Sequence, residues 1–401
     1  MAAHDTCPDR PAHCARAAVK RAEGPGPGER PVLRDSGDFG PNRRMDSITH
    51  LFLGGAITAA IAPPRHRRAA LLAGAALNTL PDLDIFPLAL CDDPIVRMTW
   101  HRSATHSWLV LPFIAWAIWA FFRARGGRVA EAPVRWWWAI FLCLMAHPLI
   151  DAFTVYGTQL FWPLPMRPIM WSSLFIIDPL FTLPWLLACV VAWFARERLP
   201  AQRALVAGIV LGIAYVGWSL LAKTLVERAA DRSLSRLGLA DAPRFSVPMP
   251  FNTLLWRVVA MTPGGHVEGE RSLVADKGAM TFRAYRSDAV ALAQAGAIPA
   301  VQRLTWFDHG FQKAQVQDGV LVLTDLRMGS EPDYSFRFAV ARDTPQGWQA
   351  LQPPQQLRWP WQARRALPQM WQRIWHAPAA TAPAQAALAR PGATPAMSAS
   401  K

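Results

Sequence analysis

Residues 135–153 read RWWWAIFLCLMAHPLIDAF, an apolar run that closes on a histidine and an aspartate four positions apart. Charged residues make up only 17% of the 401-residue chain, whereas soluble proteins carry roughly 25%. Nineteen tryptophans crowd the apolar runs and their borders, which is typical of side chains at a membrane–water interface. These features together predict an integral membrane protein.

The stretch is one of several apolar runs, and the runs differ in length. A helix needs about 20 residues to cross a bilayer. The last two runs are predicted to be long enough, and some of the four shorter ones are predicted to be re-entrant or partly embedded. The result is a mainly α, polytopic helical bundle of about four to six helices. The runs are Ile48–Ala62, Ala69–Leu80, Trp108–Phe122, Trp136–Ile150, Leu174–Ala195 and Ala204–Ala222.

Arginine-rich loops join these runs in pairs, at 65–68, 123–135 and 196–203. If every run changes side, the three loops share one side, which their positive charge predicts to be cytoplasmic. Segments 81–107 and 151–173 are then predicted to face outward, into the periplasm. The net charge is +14, but arginines sit in these short loops between apolar runs, and the chain shows no basic stripe or DNA-binding motif, so nucleic acid is not an expected partner.

The remaining chain is polar or of mixed composition. Short β-type runs separated by Gly, Pro and Asp predict a small, mostly β C-terminal domain on the outward side. The five cysteines are scattered, so no disulfide framework or thiolate zinc site is predicted. The predicted division is 1–44, a disordered leader or over-extended start with translation from Met1 or Met45; 45–222, the membrane domain; 223–245, a helical connector; 246–350, the β-rich domain; and 351–401, a largely disordered tail.

Four polar motifs stand at the predicted outward ends of the membrane segments: DSITH at 46–50, LPDLD at 80–84, HRSATHS at 101–107 and HPLID at 147–151. In the first and last motifs an aspartate and a histidine are four residues apart, which places both on one face of a helix. The motifs are therefore predicted to converge on a single membrane face.

Several carboxylates near a low-dielectric slab are costly unless they are protonated or bridged by a cation, and Arg102 is the one cation within the motifs. Mixed His and Asp ligands favour zinc, with manganese or iron as alternatives, over calcium or magnesium. The candidates exceed one tetrahedral set, so one to two or more ions are predicted. They are Asp46, His50, Asp82, Asp84, His101, His106, His147 and Asp151.

Each residue also has a structural interpretation. Asp46 could cap the first helix, and Asp82 could cap a turn. Asp178 could either line the site or cap a helix. His66 belongs to a basic loop and is not predicted to be a ligand. The histidines of the C-terminal part, His266, His309 and His376, are predicted to be surface residues.

Residues 45–165 carry MDSITH, LPDLD, HRSATHS and HPLIDAFTVYGTQLFWP in that order. With these motifs the chain resembles the membrane-bound metal-dependent hydrolases of the YdjM/YbcI type, also described as LexA-binding, inner-membrane-associated hydrolases. The resemblance implies a metal-dependent hydrolase of the bacterial inner membrane, distantly similar to zinc phospholipase C and P1-type nucleases. His147 and Asp151 match the family's His-x-x-x-Asp element. The other matching positions are His50, Asp82, Asp84, His101 and His106.

The leading functional hypothesis is hydrolysis of phosphoester bonds in a membrane lipid or lipid-linked substrate. Asp82 or Asp84 would bridge ions or act as general base, and Arg102 would clamp a phosphate. One alternative is a structural metal site, with the β-rich domain binding an unknown protein partner. Another is a transporter, although the ionisable residues gather at one end rather than along a path through the bilayer.

Overall fold

A computed structural model describes residues 46–175, 177–359 and 363–378. The amino-terminal half is helical, and the C-terminal part is built on β-sheets. The α-helices are α1 (Asp46–Ile61), α2 (Arg67–Thr79), α3 (Ile85–Leu88), α4 (Pro94–Trp100), α5 (Leu111–Ala124), α6 (Gly127–Glu131), α7 (Pro133–Ala152), α8 (Pro179–Ala195), α9 (Leu199–Arg236), α10 (Ala289–Gln294), α11 (Pro299–Phe307) and α12 (Ala363–Trp375). Short 3-10 helices lie at Pro64–His66, Pro81–Asp84 and Ala104–His106.

Two helices, α7 with 20 residues and α9 with 38, are long and apolar enough to cross a membrane. Two further pairs of helical segments pass the same test only if each bent pair counts as one broken span. Their bends are 40° between Pro64–Thr79 and Pro81–Leu88, and 56° between Pro94–His106 and Leu111–Ala124. The described residues thus offer two to four candidate spans, where the sequence predicted about four to six helices.

The prediction that 174–195 alone is long enough to cross is wrong, because α8 begins only at Pro179 and has 17 residues. Asp178 caps this helix by accepting hydrogen bonds from the backbone amides of Leu180 and Phe181, at 2.9 and 3.3 Å. The structural interpretation of Asp178 is the one observed.

Glycines let the membrane helices approach closely. A Cβ placed on Gly54 of α1 would lie 2.3 Å from the carbonyl oxygen of Gly74 on α2. On α9, Gly208 and Gly212 form a GxxxG pair against α8, where a Cβ on Gly212 would lie 2.0 Å from the Trp185 ring. Small residues of this kind bring helix backbones together inside membranes. The first contact sets the distance between two helices that carry site residues.

The C-terminal part holds two four-stranded antiparallel sheets, ordered β1-β2-β3-β4 and β10-β9-β6-β5, and a small β7-β8 hairpin. The β-rich prediction is confirmed. The strands are β1 (Arg244–Pro248), β2 (Leu255–Thr262), β3 (Gly265–Ser272), β4 (Arg283–Arg286), β5 (Gln312–Gln317), β6 (Val320–Asp325), β7 (Gly329–Ser330), β8 (Asp333–Tyr334), β9 (Arg337–Thr344) and β10 (Gly347–Gln356).

The structure changes two sequence predictions about the C-terminal half of the chain. The predicted connector 223–245 is largely the end of α9, which continues unbroken to Arg236 and packs Val226 and Ala230 against Trp256 of β2. The tail 351–401 is not wholly irregular, because β10 reaches Gln356 and α12 follows. The leader 1–44 lies outside the described residues, as does 379–401.

The sheets also pack against the loops that carry the polar motifs. Ile95 and Met98 of α4, with Tyr156 from the loop after α7, share one buried apolar cluster with Phe307 of α11 and Phe338 of β9. The C-terminal part therefore packs directly against the segments next to the loop motifs.

Candidate metal centre

Four separate segments bring the polar motifs together. His50 comes from the first turns of α1, the LPDLD motif from the 3-10 turn after α2, the HRSATHS motif from the loop between α4 and α5, and HPLID from the last turns of α7. Each motif lies at a helix end, where the chain turns. The predicted convergence on one site is observed for all candidates except Asp46, whose side chain lies outside the described residues.

Asp82, His106, His147 and Asp151 form the centre of this site, and we refer to them as the four-ligand cluster. One ligand atom from each lies within 4.8 Å of the others. The two imidazole Nε2 atoms are 3.0 Å apart. Asp82 Oδ1 lies 3.4 Å from each Nε2 atom, and Asp151 Oδ2 lies 3.3 Å from that of His106 and 3.4 Å from that of His147.

These distances match the edges of a coordination tetrahedron. Ligands held 2.0–2.1 Å from a zinc ion in tetrahedral geometry are separated by about 3.3 Å. Five of the six atom pairs in the cluster lie between 3.0 and 3.4 Å. The four donor atoms thus surround a space that fits one metal ion, with the N and O donors that zinc, manganese and iron accept.

The histidine tautomers follow from their outer hydrogen bonds. His147 Nδ1 lies 2.5 Å from the backbone carbonyl oxygen of Asn78, which can only accept, so Nδ1 carries the proton. The Thr105 hydroxyl donates to Asp84 Oδ2 at 2.9 Å and therefore accepts from His106 Nδ1 at 3.0 Å. In their neutral forms both rings direct a lone pair from Nε2 into the cluster, as metal ligands require. Two lone pairs at 3.0 Å repel each other unless a metal ion or a proton lies between them.

The two oxygens of Asp151 have different surroundings. Oδ1 lies 3.1 Å from Arg102 Nη2 and 3.3 Å from His50 Nε2. Oδ2 is buried and accepts no hydrogen bond from the part of the chain that the structure describes. A buried carboxylate oxygen without a donor is costly. Its position beside the Nε2 atoms of both histidines fits a metal ion here.

His50 borders the cluster without belonging to it. Its ring stacks on that of His147, with centroids 3.9 Å apart, and its Nδ1 lies 3.3 Å from Asn78 Oδ1. The Asn78 amide donates to the Cys143 carbonyl at 2.5 Å, which turns Oδ1 toward His50. His50 Nε2 then faces Asp151 Oδ1.

His101 and Asp84 form a separate pair on the more open side. His101 Nδ1 lies 2.8 Å from Asp84 Oδ1, and the His101 side chain is 21% exposed. Asp82 is 15% exposed, whereas the other three side chains of the four-ligand cluster are at most 2% exposed. The structure therefore places His101 and Asp84 beside the cluster, although both were predicted as ligands.

Arg102 is buried, although the sequence suggested a phosphate clamp. It is 2% exposed, pairs with Asp151 and donates from Nη1 to the Thr154 hydroxyl at 3.0 Å. In this position its guanidinium holds Asp151 Oδ1 and is shielded from solvent.

The prediction that His266 is a surface residue is wrong, because this histidine is only 1% exposed and lies within the sheets. His309 is half-buried and pairs with the Pro168 carbonyl, and His376 is exposed.

Two residues of the site were missed at the sequence level, Asn78 and Thr105. Asn78 is fully buried and supports two histidines, one through its side chain and one through its carbonyl. The sequence feature that could have indicated a role for Asn78 is its amide side chain, which stands alone at the end of an apolar helix, two residues before LPDLD. Thr105 lies inside the HRSATHS motif, where the residue pattern alone predicts no role for it.

Residues 45–226 match the sequence profile of the YdjM inner membrane protein family. Through this part, which is less than half of the chain, the protein is similar to the YdjM family. The match spans all four motifs and ends within α9, so the β-sheets lie outside it. No curated protein and no solved structure matches the chain. The YdjM match and the apolar helices together indicate an inner membrane protein, and its four-ligand cluster could bind a metal ion.

Proposed function

We propose that the protein is a metal-dependent hydrolase that cleaves phosphoester bonds in a lipid or lipid-linked substrate. The observation that carries the proposal is the His101–Asp84 pair beside the four-ligand cluster, on the side where Asp82 is partly exposed. A purely structural site is closed by protein ligands, whereas a catalytic site keeps one side accessible. A zinc ion bound in the cluster would supply a Lewis acid and would activate water near neutral pH.

The residues around the cluster take distinct roles in this proposal. His106 and His147 would bind through Nε2 and the buried Asp151 through Oδ2, which leaves the position beside the partly exposed Asp82 for water. Asp84 accepts a hydrogen bond from His101 Nδ1 and so orients the ring, which leaves His101 Nε2 to take up or deliver a proton. Asp84 is then a positioning residue for the general acid or base, a more specific role than the sequence suggested.

An amphiphilic substrate fits the surroundings of the site. The segment that follows Asp82 exposes large apolar side chains, with Leu83 at 44%, Phe86 at 66% and Leu90 at 87%. Soluble surfaces rarely gather such residues, whereas a bilayer accepts them. A lipid or lipid-linked phosphoester could therefore reach Asp82 from the membrane with little removal from the lipid layer.

The orientation we propose places the site on the periplasmic side. The basic loops meet at the opposite end of the helices, where Arg67 donates to the Arg196 carbonyl at 2.5 Å and Arg65 pairs with Glu131 at 2.8 Å. Helix α7 begins near this end and finishes at Ala152, next to Asp151. Because basic loops favour the cytoplasm, the motifs and the sheets would face outward.

The test uses purified protein in mixed micelles with a phospholipid or a generic phosphodiester. His101→Ala is expected to lower the rate by about 10²–10⁴-fold while it retains the metal, as expected for loss of a general acid or base. His147→Ala is expected to lose both metal and activity. His376→Ala is the matched control, because this histidine is exposed and far along the chain. Unchanged hydrolysis in both site variants would contradict the proposal.

The alternative is a structural ion with a partner-binding β region, and the burial of His106, His147 and Asp151 favours it. The two functions predict different coordination. A structural ion would have four protein ligands and no exchangeable water, whereas the catalytic ion would keep an accessible position.

A further inference from the structure

The loop that follows Asp151 is held by the C-terminal sheets. Arg327, in the connection after β6, is 2% exposed, and its Nη1 donates to the backbone carbonyls of Tyr156 at 2.9 Å and of Phe307 at 3.0 Å. The remainder of its guanidinium pairs with Asp325, whose Oδ2 lies 2.7 Å from Nη2. Arg327 therefore joins the sheet part to the loop through a buried, neutralised guanidinium.

The loop backbone is shaped for this contact. Gly157 has a φ of +101°, and a Cβ there would lie 3.0 Å from Pro168 Cβ and 3.4 Å from Arg327 Nη1. Glycine at this position allows both the backbone conformation and the close approach. The arginine and the loop are thus fitted to each other, although they are distant in sequence.

Tyr156 continues the connection toward the four-ligand cluster. Its hydroxyl donates to the Met98 carbonyl at 2.8 Å, and its ring packs against Phe307, with centroids 5.6 Å apart. The Arg102 guanidinium lies over the same ring, 5.0 Å from its centroid. A cation over an aromatic face is attracted to it, and more strongly where water is excluded. The ring therefore limits where Arg102 can lie.

Arg102 is the last link, because its Nη2 lies 3.1 Å from Asp151 Oδ1. This contact holds one oxygen of Asp151 and leaves Oδ2 facing His106 and His147. A displaced Arg102 would let the carboxylate rotate. Partners beyond the ligands commonly set ligand direction and metal affinity in this way.

We propose that Arg327 and Tyr156 are positioning residues, through which the C-terminal sheets orient Asp151 for metal binding. The YdjM profile ends at residue 226, so Arg327 adds to the site from a region outside the family match. This inference rests on the metal centre of the proposed function and is independent of the hydrolytic step. The sheets are accordingly part of the metal site rather than a separate partner-binding module.

The test measures metal affinity, by competition with a chromophoric chelator, and the visible absorption of bound Co²⁺, whose intensity reports the tetrahedral ligand set. Arg327→Lys and Tyr156→Leu are each expected to weaken affinity by about 10–100-fold and to lower the Co²⁺ absorption. Tyr156→Phe keeps the ring and is expected to bind as the wild type does. Lys313→Gln breaks a half-buried ion pair elsewhere in the sheets and serves as the control for general destabilisation.

A double variant separates positioning from mere destabilisation. Because Arg327 acts through Arg102, Arg327→Lys is expected to have little further effect on affinity in an Arg102→Met background. If Arg327→Lys fails to fold, the Tyr156→Leu and Tyr156→Phe comparison decides. Wild-type affinity and absorption in Tyr156→Leu would overturn the inference, as would additive losses in the double variant. A wild-type protein that binds metal tightly but hydrolyses nothing would sink the proposed function and leave this inference standing.

Discussion

Replacement of Thr105 by valine tests whether the outer hydrogen bonds set the metal site. The Thr105 hydroxyl accepts from His106 Nδ1 at 3.0 Å and donates to Asp84 at 2.9 Å. Valine has nearly the same shape but cannot accept a hydrogen bond. His106 would then lose the acceptor that keeps the proton on Nδ1, and the tautomer with a protonated Nε2 would compete. That tautomer cannot bind a metal through Nε2.

The expected loss of metal affinity follows from the number of hydrogen-bond acceptors that the cluster histidines lose. Only one of the two cluster histidines loses its acceptor, because the Asn78 carbonyl still holds His147. Loss of one such outer partner typically lowers metal affinity by about 10–100-fold. This corresponds to about 1.4–2.8 kcal/mol of binding free energy. No cavity term is expected, since the volume of the side chain is conserved.

The assay is competition for Zn²⁺ between a chromophoric chelator and the purified protein in detergent, with the metal content measured separately by elemental analysis. Thr105→Ser keeps the hydroxyl and is expected to bind nearly as the wild type does. The reasoning is refuted if Thr105→Val binds zinc as tightly as the wild type. It is also refuted if Thr105→Ser is as weak as Thr105→Val, because the loss would then come from packing and not from the hydroxyl.

Three further predictions concern packing, pH and orientation. Gly54→Ala would place a Cβ 2.3 Å from the Gly74 carbonyl oxygen, so it should destabilise the fold by about 1–3 kcal/mol and reduce the metal content. A Cβ at Gly217 meets nothing within 4 Å, so Gly217→Ala should leave stability and metal content unchanged. Equal melting temperatures for the two variants would contradict this prediction. Burial, with the nearby charges of Lys313 and Arg257, lowers the pKa of His266 to about 4, so the unfolded chain binds the proton more tightly. The contribution of His266 to stability should therefore be fully present above about pH 6.5, and the free energy of unfolding should fall by roughly 3 kcal/mol as the pH drops toward 4. In melting curves recorded at several pH values, His266→Phe should show a smaller loss of stability in acid. An equal loss of stability in both proteins below pH 6.5 would contradict this prediction. A C-terminal tag should be open to protease in spheroplasts, and protection of the tag until the membrane is permeabilised would reverse the proposed orientation.

Much of the helical half could be predicted from residue pattern. Apolar runs locate α1, α2, α5 and α7 within a few residues, because membrane helices depend on local composition. The end of α8 nearer Asp178 could not be placed in this way, since Leu174 and its neighbours are apolar without being helical. Their backbone hydrogen bonds go to other segments, for example from the Leu174 amide to the Phe153 carbonyl at 3.0 Å.

The candidate site was predictable in kind but not in detail. Helical spacing placed His147 and Asp151 on one face, and the structure confirms that they meet. The separation of ligands from their supports could not be predicted, because it depends on contacts such as that between Asp84 and His101 at 2.8 Å. The imidazole nitrogen that carries the proton is the one that faces an acceptor, and the fold decides where that acceptor lies.

By itself the sequence determined a membrane protein with His and Asp motifs at one end of its helices, because hydropathy and helical spacing are local properties of the chain. The tertiary structure decided which four residues surround a single space, that the buried Arg102 pairs with Asp151, and that Arg327 binds the loop after Asp151 from the sheets. These are contacts between residues distant in sequence. Their distances depend on how helices and sheets pack, which residue order alone does not specify.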